Sequence, residues 1–141
     1  MMQTQPALEK HPNTYLYPEE TRKRILIADS DKVHSFILSM LLEDEGYLVS
    51  TCQHTLAAIN LIRMKSFDFV ISEHSTSGVN GVQVLETAKR MDWNLPVLLT
   101  AHLCEMETYI EAMHRGALDY ICKPNYGEIQ RIVRTHCSLG A

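Results

Sequence analysis

The sequence predicts an α/β fold in which one parallel sheet is wound with helices on both faces. Two observations carry this. Five short apolar runs, each too short for a helix and rich in β-formers, alternate with amphipathic stretches. The runs are apolar throughout rather than at every second residue, the habit of strands covered on both sides. Five β-α units with short connections then predict a doubly wound sheet, because right-handed crossovers distribute the helices over both faces.

Residues 1–23 carry Pro6, Pro12 and Pro18 among polar side chains, show no sustained period, and read as a flexible tail. The domain is expected over 24–138, with a short second tail over 139–141. Ile25-Leu26-Ile27-Ala28 is the first strand. Val33, Phe36, Ile37, Met40 and Leu41 follow the i, i+3, i+4, i+7, i+8 spacing of one helical face, with Asp31 placed to cap that helix and Gly46 to stop it. Tyr47-Leu48-Val49 is the second strand, and Ala58, Leu61 and Ile62 mark a shorter helix. Phe69-Val70-Ile71 is the third strand, followed by a helix on Val82, Leu85 and Ala88. Val97-Leu98-Leu99 is the fourth, followed by a helix on Met106, Tyr109, Ile110 and Met113 that Gly116 closes. Tyr120-Ile121-Cys122 is the fifth, and Ile129, Ile132 and Val133 begin the last helix.

Composition narrows the function. With 141 residues, 45% apolar and 21% charged, the chain has the make-up of one globular domain rather than of a disordered segment. A formal charge of -4 gives no electrostatic reason to expect direct nucleic-acid binding. No apolar run approaches the roughly 20 residues needed to span a bilayer, and Met1 to Pro18 is polar where a signal peptide needs an apolar stretch. A cytoplasmic setting is therefore expected. Cys52, Cys104, Cys122 and Cys137 are scattered without a CxxC pair and read as buried or idle thiols in a reducing compartment. His34, His54, His74, His102, His114 and His136 lie on different elements without ligand spacing, and read as surface histidines.

In doubly wound sheets function collects at the carboxyl ends of the strands. There the sequence places Asp29-Ser30-Asp31, Glu73-His74-Ser75, Thr100-Ala101-His102 and Lys123-Pro124. Singly each has a plain explanation, such as a helix cap for Asp31 or a solvated charge for Lys123. Together they bring acid, hydroxyl and ammonium groups to one rim.

The segments RILIADSD, FDFVISEHSTSGVNG, PVLLTA and GALDYICKP, in that order, make the chain from Arg24 to about His136 resemble the receiver domain of two-component response regulators. The resemblance implies a flavodoxin-like fold with strand order 2-1-3-4-5 and a place in phosphorelay signalling. In that family two acids after the first strand and an aspartate after the third hold Mg²⁺, and the aspartate accepts a phosphoryl group from a histidine kinase. Asp29 matches the first acid, and Thr100, Lys123 and Tyr120 match the family's hydroxyl, lysine and aromatic switch. Two positions depart: Ser30 stands where the second acid belongs, and Glu73 stands at the acceptor. Ser77 also stands where proline is common, with Gly78, Asn80 and Gly81 keeping the turn chemistry behind it. The resemblance further implies a cis Lys123-Pro124 bond.

These departures predict a pseudo-receiver. Magnesium needs octahedral oxygen ligands with carboxylate charge, so losing one acid at Ser30 predicts weak or absent Mg²⁺ binding and no other cofactor; at most Asp29 and Glu73 would contact a metal, and Asp31 points elsewhere along the strand end. Glu73 extends the carboxylate by one methylene, and a misplacement of about 1 Å costs roughly a hundredfold in phosphoryl transfer. Glu73 either reaches Lys123 and Thr100 as a partial phosphoryl mimic or sits in a drifted, inert pocket. The expected partners are a sensor histidine kinase or another signalling protein, and a second copy through the fourth helix, fifth strand and fifth helix; nucleic acid and membrane are not expected. Met106, Tyr109, Met113 and Tyr120 either furnish that surface or complete the core. Alternatives are a receiver that accepts on Asp31 or Ser75, and a small α/β phosphatase or flavin-binding protein, for which no phosphate loop follows the first strand. No output domain is read in these residues, so an effect on transcription is expected to pass through another protein or a further part of the gene product.

Overall fold

Each apolar run becomes a strand: β1 (Arg24–Ala28), β2 (Leu48–Cys52), β3 (Phe69–Glu73), β4 (Val97–Ala101) and β5 (Asp119–Cys122). The computed structural model describes residue 18 and residues 21–138. The strands form one sheet in the order β2-β1-β3-β4-β5, every pair parallel. The connections are α1 (Lys32–Asp44), α2 (Thr55–Met64), α3 (Gly81–Met91), α4 (Met106–His114) and, after β5, α5 (Tyr126–His136). This is the flavodoxin-like arrangement expected from the sequence. The expected tails at 1–23 and 139–141 lie outside the described residues, apart from residue 18 and residues 21–23.

Successive strand residues point to opposite faces, and the buried sets divide accordingly. Ile25, Ile27, Phe69, Ile71 and Leu98 pack with Leu38 and Leu42 of α1 and Ile129, Ile132 and Val133 of α5. Leu26, Ala28, Val70, Val97 and Leu99 pack with Ala58 and Ile62 of α2, Val84, Leu85 and Ala88 of α3, and Ala112 of α4. A fully buried aliphatic side chain contributes roughly 1.5–3 kcal/mol, so both layers are needed to hold the sheet. Gly46 and Gly116, at φ of 105° and 99°, end α1 and α4 in the left-handed region.

Three expectations are corrected. The inward face of α1 is His34, Ser35, Leu38 and Leu42; Val33, Phe36 and Met40 are exposed. The roll of α1 is set at its first turn, where Asp31 accepts the N–H groups of Val33 and His34 and the His34 ring meets Asp29. Apolar residues lie on both sides of α1, so spacing alone admitted either stripe. His34, read as a surface histidine, is 4% exposed. The cysteines are not four idle thiols: Cys104 and Cys122 form a disulfide, and only Cys52 and Cys137 are free. The parallel register of β4 on β5 makes that pairing, and spacing within the sequence does not reveal it. The Lys123-Pro124 bond is cis. Among the described residues, no helix is long and apolar enough to cross a membrane.

Candidate functional site

The strand ends converge because the register is parallel: Glu73 pairs with Thr100, and Ala101 with Cys122, next to Lys123. Asp29, Glu73, Thr100 and Lys123 are all buried. Lys123 Nζ donates to Asp29 Oδ1 and to Glu73 Oε1, both at 2.9 Å. Glu73 Oε2 accepts three hydrogen bonds: from the Ser30 N–H at 3.0 Å, the Ser30 hydroxyl at 2.5 Å and the Val79 N–H at 3.0 Å. Asp29 also accepts from the Asp31 N–H at 2.9 Å, and its Oδ2 lies 2.8 Å from His34 Nδ1. His34 in turn stacks on Tyr126 with ring centroids 5.1 Å apart.

Burial alone would push the Glu73 carboxyl up, but the Ser30 hydroxyl, the Val79 N–H, the Lys123 ammonium and the Ser30 N–H outweigh it and hold the group down at about 2. Burial likewise works against the Lys123 charge, and its bonds to Asp29 and Glu73 overcome this and raise it above the ordinary lysine value. Charge-assisted bonds of this kind, buried and mutually satisfied, hold both charges in place.

Ser30 and Glu73 explain each other. A second acid at position 30 would set a carboxylate against Glu73 Oε2, whereas the Ser30 hydroxyl donates to it. Asp31 does not turn into the pocket: its Oδ1 caps α1, the His34 N–H holds its carboxyl below the usual range, and its Oδ2 lies 3.5 Å from His102 Nε2. Ser75 Oγ accepts from the Gly78 N–H at 2.8 Å. Thr100 sits in the pocket wall, yet its hydroxyl has no hydrogen-bond partner. Tyr120 is 7% exposed and its ring packs 6.4 Å from that of Tyr109.

Residues 25–134 match the family described as the response regulator receiver domain. The chain is a receiver domain. Among curated relatives it is similar to the transcriptional regulatory protein ZraR of Klebsiella oxytoca, 35% identical over 100 residues, with 71% of this chain and 23% of that one covered. The alginate biosynthesis transcriptional regulatory protein AlgB of Pseudomonas aeruginosa is 33% identical, over 74% of this chain and 23% of its own length. The receiver thus spans about a quarter of these relatives. In fold it is similar to the CheY-like receiver domain protein of Methanospirillum hungatei JF-1, with a TM-score of 0.76, 23% identity, and 81% and 92% of the two chains covered. Receivers are signalling domains of two-component systems that interact with histidine kinases or other signalling proteins.

The receiver pocket also uses residues that sequence reasoning missed. His34 joins Asp29 from the first turn of α1; its signal was its place five residues beyond the acid, on the stripe that continues to Leu38 and Leu42. Val79 contributes only its backbone, which no side-chain pattern announces. Gly78 makes room: a Cβ there would stand against Glu73 Oε2, Ser30 Oγ and Ser75 Oγ, closer than side chains approach one another.

Proposed function

We propose that this receiver signals by protein contact without accepting a phosphoryl group, with Glu73 as a permanent negative charge where the family modifies an aspartate. The observation that carries this reading is the saturation of Glu73: four donors from the protein hold its two oxygens. Oε2 alone takes three of them, a load resembling that of a phosphoryl oxygen. The mimicry is partial. The Lys123 contact is made, whereas the Thr100 hydroxyl remains unengaged.

The residues present do not fit magnesium. The ion needs oxygen lone pairs in near-octahedral array, but the Ser30 hydroxyl is turned to Glu73, one Asp31 oxygen caps α1, and the Lys123 ammonium already bridges Asp29 and Glu73. No step of the function passes through a metal or any other cofactor, and the domain is not an enzyme.

The output surface is the α4–β5–α5 face, where Met106, Tyr109, Ile110 and Met113 are exposed. Its occupant is a sensor histidine kinase, another signalling protein of the cytoplasm, or a second copy of this chain, and neither nucleic acid nor membrane. Any effect on transcription passes through that partner or through a further part of the protein.

The test is incubation with acetyl phosphate and Mg²⁺ followed by intact mass. No increment is expected for the wild type. A stable gain of one phosphoryl group, on Asp31, Ser75 or Glu73 itself, would overturn the proposal. Partner binding should weaken for Glu73→Gln, which removes the charge, and persist in part for Glu73→Asp, which keeps it.

A further inference from the structure

The disulfide stands on the output side of the pocket. Cys122 closes β5 and immediately precedes Lys123, whose ammonium reaches Asp29 and Glu73. The β4–β5 register sets Ala101 against Cys122, and residues 102–105 then turn over the strand end toward α4. This brings Cys104 to a Cα–Cα distance of 5.7 Å from Cys122, across 18 residues of sequence. That distance lies inside the roughly 4.4–6.8 Å range a disulfide accepts without moving backbone. Cys122 is exposed and Cys104 is half-buried, so a small thiol reagent reaches the pair. The two cysteines, with Glu105, Met106, Tyr109 and Tyr120, line one cavity of about 270 Å³ on that face.

We propose that Cys104 and Cys122 are a reversible redox pair, closed by exchange with a small-molecule disulfide, and that closure fixes how α4 is held against β5 for its partner. This goes beyond the phosphorylation-independent reading and does not rest on it, because the carboxylate of Glu73 is held by Ser30, Val79 and Lys123 and by neither cysteine.

The chemistry balances. The Cys122 thiolate attacks one sulfur of the small disulfide and expels one thiolate. The Cys104 thiolate then attacks Cys122 Sγ of the mixed disulfide and expels the second. The two protein thiols lose two electrons and two protons to the intramolecular bond, and the small disulfide gains them as two thiols. Cys52 and Cys137 do not compete, because burial pushes both thiols up to about 11 and leaves them protonated at neutral pH.

Closure bears on signalling through position. Among the α4 residues only Ala112 is buried, so the bond from Cys104 is the firmest tie between the approach to α4 and the end of β5. Opening it releases residues 102–105, and with them the exposed face of α4.

The full chain is equilibrated in glutathione buffers of graded oxidised-to-reduced ratio, then quenched, unfolded and alkylated for intact mass. Alkylatable thiols should fall from four to two across the series, with peptide mapping linking Cys104 to Cys122. Reduction, or Cys104→Ser or Cys122→Ala in oxidising buffer, should speed amide exchange over residues 102–113 several-fold and leave β1 and β3 unchanged. The oxidised form should melt about 5–10 °C higher, from closing a loop of this length. Four alkylatable thiols at every ratio would refute the pair. Two thiols that glutathione cannot restore to four, or exchange over 102–113 indifferent to redox state, would refute its switching role. Cys52→Ser should lower the thiol count by one throughout, from three to one, and leave the redox midpoint, the Cys104–Cys122 link and the amide exchange unchanged; a shift in any of those three would equally count against the assignment.

Discussion

Replacing Glu73 by Gln removes one charge and leaves the shape of the pocket almost intact. The folded protein holds this carboxyl at about 2 against an ordinary 4.5, and each pH unit of displacement is worth about 1.36 kcal/mol between the two protonation states. The ionised side chain therefore contributes about 3 kcal/mol at neutral pH. An amide cannot satisfy the same neighbours, because one end must present N–H either to Lys123 or to the Ser30 and Val79 donors. Breaking a buried charge pair costs a similar amount, about 3–5 kcal/mol. Urea unfolding at pH 7 should thus place Glu73→Gln about 2–4 kcal/mol below the wild type. The pH dependence carries the sign. The native-state value lies below the unfolded one, so the extra stability is fully present above pH 4.5 and is lost as pH falls toward about 2. The gap between wild type and variant should narrow over that window. A gap below about 0.5 kcal/mol at pH 7, or one that stays constant into acid, would refute the charge network as described.

Other perturbations report on single contacts. Gly78→Ala sets a methyl group against Glu73 Oε2 and the Ser30 and Ser75 hydroxyls, and should cost about 1–3 kcal/mol by thermal or urea unfolding; adding Glu73→Asp, which shortens the acid, should recover part of that loss. Asp31→Ala removes the acceptor for two N–H groups of α1 and should cost about 1 kcal/mol in the same assay, with faster amide exchange in the first turn of α1. Tyr47→Phe deletes the buried bond from the phenol to the Cys137 carbonyl at 2.7 Å and should cost about 1–3 kcal/mol, with faster exchange at the end of α5.

The parallel sheet was legible because its strands are apolar on both faces, and β3 and β4 are buried along their whole length. The pocket was legible as a set of strand-end residues, since parallel register carries Asp29, Glu73, Thr100 and Lys123 to one rim. What could not be read was which lone pair each donor would choose. Thr100 occupies the expected position, yet its hydroxyl stays outside the network. In sequence Ser30 reads only as a missing acid, whereas its hydroxyl and N–H together hold Glu73. The roll of α1 was misread because Val33, Phe36 and Met40 and the buried Leu38 and Leu42 are alike in hydrophobicity; the polar contacts of Asp31 and His34 decide between them. The Cys104–Cys122 bond was hidden by a sequence separation of 18, and only strand register shortens it.

One small methyl group, that of Ala112, is all that α4 seats in the core. Helices keyed into a sheet by bulky side chains cannot change their roll without opening voids, at a cost that grows with the volume left empty. An alanine leaves almost no void when it slides. The energy barrier to reorienting α4 is therefore set by its flanking loops rather than by core packing, which makes this helix a lightly seated pivot.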